Sequence, residues 1–209
     1  MKTKDFIQLE RQLIQDLPGG TVNGSIIVIC PSKHVLRGLS FEGSSFDAKT
    51  FFVFFFFLPL CVPTKNLYFN FGDRLRNSNG GDVWNANEGD LLAKLRRAIS
   101  EQALPYLSNV ESLENMVRVL SESPQPYNPH KQQAIAYALA RLGRFEEARD
   151  ALADLISRID HKSPWQREIC ERAEGLLIQL KDDTAAAQKQ LQIWETETKE
   201  TLKLGSVCS

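Results

Sequence analysis

The chain has no excess of either charge: 25 Lys and Arg stand against 26 Asp and Glu in 209 residues. Without a net field, bulk electrostatic recruitment of nucleic acid or of an anionic membrane is excluded as an organising idea. The balance hides no opposed halves, since 13 basic and 13 acidic residues precede Pro129 and 12 and 13 follow from it. Histidine is scarce. His34, His130 and His161 stand alone at turns or helix starts, without the i, i+4 partner or carboxylate cluster of a metal site. Cys30, Cys61, Cys170 and Cys208 form no C-x-x-C pair, the pattern of free thiols in a reducing cytosol, and neither Cys30 nor Cys61 has a polar neighbour to activate a thiolate. No serine sits in a G-x-S-x-G elbow. The string from Gly38 to Gly43-Ser-Ser imitates the glycine spacing of a phosphate loop, but lacks its lysine and opens no helix. No cofactor is expected. The N-terminal MKTKDFIQLERQL carries charges where a secretory signal needs an apolar stretch, so the expected location is cytoplasmic.

What is abundant is phenylalanine, and half of the twelve lie in FFVFFFFL, Phe51 to Leu58. The uncharged run reaches Val62 but contains Pro59, and is shorter than the roughly 20 residues of a spanning helix. Bulky rings suit a pleated surface, so the run reads as a strand buried on both faces, not as a membrane contact.

Around it the periodicity predicts an amphipathic helix over 4–17, carrying Phe6, Leu9, Leu13 and Leu17 and ended by Pro18-Gly19-Gly20. Strands are predicted at 25–30, 35–41 and 67–71, so that with the Phe run a four-stranded antiparallel meander forms under covering helices. From Asp90 a helix runs to just before Pro105, and Ser112 caps a shorter one through Leu120. Three prolines between Ser123 and Pro129 predict a domain boundary, with an α+β domain over 1–123 and an all-α region over 129–204. That region divides into helices over 131–142, 145–159, 163–180 and 183–202, with Ser163, Pro164 and Gln166 forming a capping box.

The stretch AIAYALARLGRFEEARDAL, Ala134 to Leu152, resembles a tetratricopeptide repeat: small Ala136 at the helix crossing, Leu139 inside, Gly143 at the turn, then Phe145 and Ala148. A second copy begins 38 residues later, with Ala173, Leu177 and Leu180 matching Ile135, Leu139 and Leu142 but no turn glycine. The resemblance covers 130–204 and implies two helical hairpins and a protein or peptide partner. The N-terminal part, through VLRGLSFEGSS from Val35 and LYFNFGDRL from Leu67, is similar to uncharacterised bacterial α+β domains. Some of those are similar to immunity proteins of contact-dependent toxin systems.

Two residue sets are site candidates. His130, Gln133, Tyr137 and Arg141 fall at spacings of 3, 4 and 4 on one helix face, which the repeat resemblance makes a groove for a peptide, with Tyr137 and Arg141 as anchors. Arg37, Glu42, Asp73, Arg74 and Trp84, with Asp47 and Arg76 nearby, stand at strand ends and in loops; Arg37 and Asp73 or Arg74 would share a sheet edge. The first set supports a non-enzymatic cytoplasmic binding or accessory protein of immunity type. The second supports the alternative, a small-ligand-binding protein or hydrolase. For the Phe run itself, Phe55→Asp is expected to abolish folding, measured by circular dichroism and soluble yield; a soluble, folded variant would overturn the buried-strand reading.

Overall fold

The computed structural model describes residues 3–124 and 126–204. The chain forms two compact units, one of Met1–Leu58, Leu67–Glu111 and Lys203–Ser209, the other of Pro59–Asn66 and Ser112–Leu202. The fold class is α+β: an antiparallel sheet followed by a helical region. The proline-rich stretch lies inside the second unit, between two helices that pack on each other.

In the first unit α1 (Thr3–Leu13) and a 3-10 turn (Ile14–Asp16) precede a sheet of β1 (Gly20–Asn23), β2 (Ile26–Ile29), β3 (Val35–Gly43), β4 (Thr50–Pro59), β5 (Gly72–Arg74) and β6 (Trp84–Asn85). The first five strands lie in sequence order, and β6 pairs with the start of β4. The phenylalanine strand is thus internal. Its residues Phe51, Val53 and Phe55 join Phe6, Leu9 and Leu13 of α1 and Leu95 and Ala98 of α2 (Leu91–Ala98) in one apolar cluster. The alternate residues face the other way. There the Phe69 ring stacks on Phe54 at 5.3 Å and meets Phe56 edge-on at 5.1 Å, while the Arg74 guanidinium lies 4.2 Å from the centre of the Phe52 ring.

Two glycines make room for this strand. A Cβ on Gly38 of β3 would come within 3.0 Å of the Phe56 ring and 2.5 Å of the Ile27 carbonyl, so only glycine lets the ring lie on the sheet. Gly72 has φ 137°, and a side chain there would strike the Phe55 carbonyl. The expected strand over 67–71 is replaced by the short β5 just beyond it. Pairing of Phe54 with Arg74 and of Phe56 with Gly72 would carry Phe69 opposite Pro59, which has no N–H to continue the ladder. The ladder stops at the Phe57 N–H to Phe71 carbonyl bond, 3.0 Å, and the chain is released to fold Phe69 over the strand. The β1–β2 hairpin, which the hydrophobic pattern did not announce, turns through Gly24-Ser25 with Asn23 opposite Ile26.

After α2 the helix does not end before Pro105. A π-helical segment (Ile99–Ala103) leads directly into α3 (Leu104–Ser108), whose first turn holds the proline where a missing N–H costs little. The second unit contains α4 (Leu113–Glu122), α5 (Pro129–Arg141), α6 (Phe145–Arg158), α7 (Pro164–Asp182) and α8 (Thr184–Thr201). Ser112 caps α4 by accepting from the Asn115 N–H at 3.2 Å, and Asn128 and Asp183 cap α5 and α8. Ser163 makes no side-chain cap, so α7 starts on Pro164 alone and the expected capping box is not formed. Successive helices from α4 to α8 pack on one another, and α5 also touches α7 and α8. Consequently α5 is buried on nearly every side from Gln133 to Ala140.

One polar group in the first unit violates the pattern around it. Glu10 lies on the apolar side of α1, fully buried, and neither carboxyl oxygen has a hydrogen-bond partner. Burial pushes its pKa up to about 7 from 4.5. Below pH 4.5 the group is protonated in both folded and unfolded chains; as pH rises from there to about 7 only the unfolded chain releases the proton, so stability falls through this window and is flat above it. Glu10→Met should therefore gain on the wild type by about 3 kcal/mol between pH 4.5 and pH 8 in urea unfolding. A gap that does not change with pH would show that the carboxylate is compensated.

Candidate functional site

The strand-end set does not assemble. Arg37 is buried on β3, donates from Nη1 to the Leu107 carbonyl at 3.3 Å and lies 3.8 Å from Glu111. Burial lowers its pKa, against the opposing pull of Glu111. Asp73 and Arg74 stand on β5, and β4 lies between β5 and β3, so the expected shared edge does not exist. Arg74 binds Asp82 at 2.8 Å and its hydrogen bond holds that exposed carboxyl below its usual range. Glu42 is exposed at the end of β3 and Asp47 caps its own loop by accepting from the Lys49 N–H. The Arg76 backbone is bonded to the Gln102 amide. Trp84, expected in an exposed polar site, is a core residue whose Nε1 donates to the Leu75 carbonyl at 3.1 Å.

The face of α5 is likewise not an open groove, because α7 and α8 cover it. Tyr137 is fully buried and its ring stacks on Trp194 of α8 at 5.4 Å. Gln133 is buried beside it, and His130 stacks on Trp165 of α7 at 4.9 Å. Arg141 lies 3.5 Å from Glu195, a buried carboxylate also held by Lys199 at 2.7 Å, while the Gln188 amide donates to the Ala140 carbonyl. Aromatic stacking and a buried ion pair thus use the side chains that spacing alone placed on a surface. Burial pushes the Tyr137 phenol up to about 12, with the adjacent Gln133 amide pulling the other way, although the hydroxyl and that amide do not meet in hydrogen-bond geometry.

The thiols offer no nucleophile. Cys61 is fully buried, and burial first, then the Glu195 charge, pushes it up to about 12. Burial also raises Cys170, with Glu174 adding to the effect. Cys30 is disulfide-bonded, which corrects the expectation of an all-thiol chain and removes one premise of the cytoplasmic reading; Cys208 lies outside the described residues. Among the described residues no three His, Cys, Asp or Glu converge as metal ligands would, and no helix is long and apolar enough to cross a membrane.

Among the described residues three hollows are weighed, of which one, about 320 Å³, is a shallow surface on α8 alone, lined by Lys189, Gln192, Ile193, Thr196 and Glu197. In the first unit a cleft of about 300 Å³ is walled by Leu13, Leu17, Ile99 and Leu104, but its charges are matched, Arg96 with Asp16 at 2.5 Å and with the Gln12 carbonyl at 3.2 Å. In the second unit a groove of about 250 Å³ between α7 and α8 is lined by Glu171, Arg172, Gly175, Leu176 and Gln179 on one side and Gln190 and Trp194 on the other. Here bonding capacity is unused: Arg172 Nε and Gln179 Oε1 are sequestered without partners. This groove is the better candidate. Its signal in the sequence was Gly175, an isolated glycine inside a helical pattern; Arg172 and Gln179 gave none until α8 was placed against α7.

No family model, curated protein or solved structure matches the chain.

The geometry at Tyr137 makes a stability prediction. Tyr137→Ala should cost about 3–5 kcal/mol in urea unfolding, as for other buried aromatics. Tyr137→Phe should be at least as stable as the wild type, because it removes a buried hydroxyl that has no partner. A Phe variant weaker by more than about 1 kcal/mol would mean that the hydroxyl is bonded.

Proposed function

We propose that this chain is a non-enzymatic binding protein that holds a protein partner in the groove between α7 and α8. The observation that carries the reading is the unused donor and acceptor there, Arg172 Nε and Gln179 Oε1, beside the Trp194 indole. Both side chains are half-exposed, so a rotamer change presents these atoms to an occupant. Tryptophan and arginine are also the residue types that concentrate binding energy at interfaces. The lining charges, Glu171 and Arg172, cancel, which favours a neutral peptide surface over a polyanion. The resemblance of 130–204 to tetratricopeptide hairpins supports the same class of partner.

A photo-crosslinking residue, p-benzoylphenylalanine, in place of Gln190 in the groove should yield a discrete higher-mass adduct in cells. The same residue in place of Asp150, exposed on α6, should not. No adduct from either position, or equal adducts from both, would sink the reading.

A further inference from the structure

Phe46 is the most exposed large apolar side chain among the described residues, at 97 %, where Val83, Trp165, Ile178 and Ile193 reach only 40–59 %. It sits in the loop between β3 and β4, and that loop is well tied. Ser44 Oγ accepts from the Phe46 N–H at 3.2 Å, Asp47 Oδ1 accepts from the Lys49 N–H at 2.9 Å, and the Thr50 hydroxyl donates to the Asp47 carbonyl at 3.1 Å. The Ser44 N–H closes the loop on the Thr50 carbonyl at 2.9 Å. None of these bonds needs a phenyl group, yet together they hold one out in water.

The same unit carries a receptor of matching kind. Its cleft of about 300 Å³ is walled by Leu13, Leu17, Ile99 and Leu104. An apolar cavity of about 150 Å³ takes one benzene ring, so this cleft has room for a phenyl side chain. The charges agree as well. The cleft lining includes Arg96 and Asp16, both partly exposed, and Phe46 is followed by Asp47 and Lys49, both exposed. A ring entering the cleft can bring a carboxylate to the guanidinium and an ammonium to the carboxylate. Within one copy the two parts do not meet, since Phe46 is open to solvent.

We infer that the occupant of the first-unit cleft is Phe46 of a second copy of this chain. The contact is heterologous: each copy offers a ring to one neighbour and a cleft to another, so association runs head to tail. Burying one phenyl side chain removes about 150–250 Å² from water, well under the roughly 1,000 Å² of a stable interface, so the contact forms only in concentrated protein. It goes beyond the binding reading above and does not depend on it, because α7 and α8 belong to the other unit.

The test is sedimentation of the full chain up to about 1 mM, where weak contacts populate. The mean mass of the wild type should rise with concentration. Phe46→Ser and Ser100→Trp, the second putting an indole at an exposed position of the cleft lining, should each stay monomeric with the circular dichroism of the wild type. Mixed one to one, they should form a dimer and nothing larger, because one keeps the cleft and the other the ring. An excess of Phe46→Ser should also cut fluorescently labelled wild type down to dimers, a readout that does not require Ser100→Trp to fold. A wild type that stays monomeric, self-association of Phe46→Ser or of folded Ser100→Trp, or labelled wild type indifferent to excess Phe46→Ser would overturn the inference.

Discussion

The need to bury β4 on both faces is the constraint from which the first unit follows. Six phenylalanine rings on one strand cannot be hidden by a single layer, so the strand is internal and each face has its own cover. On one side Phe51, Val53 and Phe55 take α1 and α2; on the other Phe52, Phe54 and Phe56 take the Phe69 ring and the Arg74 guanidinium. Fully burying a side chain of this size contributes about 1.5–3 kcal/mol, so the strand dominates the apolar balance of its unit. The two glycines that contact it, Gly38 and Gly72, are shaped by that demand.

In the second unit α5 has the corresponding place, but its burial includes polar groups. Alanines let its neighbours approach closely, and the side chains left over, Gln133, Tyr137 and Arg141, are enclosed by aromatic stacking and by the Glu195 charge. A buried carboxylate between Arg141 and Lys199 ties α8 to α5 and to itself. The unit therefore uses its most interface-like residues internally. Outside this core, Arg172 and Gln179 of α7 and Trp194 of α8 line a groove, and Arg172 Nε and Gln179 Oε1 have no hydrogen-bond partner.

Most of the elements were legible because their signals are local. The Phe strand, the amphipathic first helix, the Ser112 cap and the helices of the second unit follow from periodicity and capping chemistry within a few residues. The failures are cases where a distant partner decided. Residues 67–71 have strand alternation, yet their register would meet Pro59. Pro105 signals a helix end, yet a π-helical segment absorbs it. The Tyr137 face has the spacing of a surface, yet two later helices cover it. Arg37 and Asp73 both lie near strand ends, but strand order separates them.

By itself the sequence determined that the phenylalanine strand is internal to an α+β unit, buried on both faces from Phe55 on and half-buried at Phe52 and Phe54, that a helical region follows, and that the chain has no charge excess and no short catalytic motif. These are consequences of hydrophobic period and composition, which act over neighbouring residues. Only the tertiary structure decided which polar groups are consumed and which are left over, because a hydrogen bond or a stacked ring depends on what another segment brings within a few ångströms. Tyr137 and Arg172 are both large polar residues on helices of similar pattern; burial against α8 made one a core residue, and the gap at Gly175 left the other beside a groove.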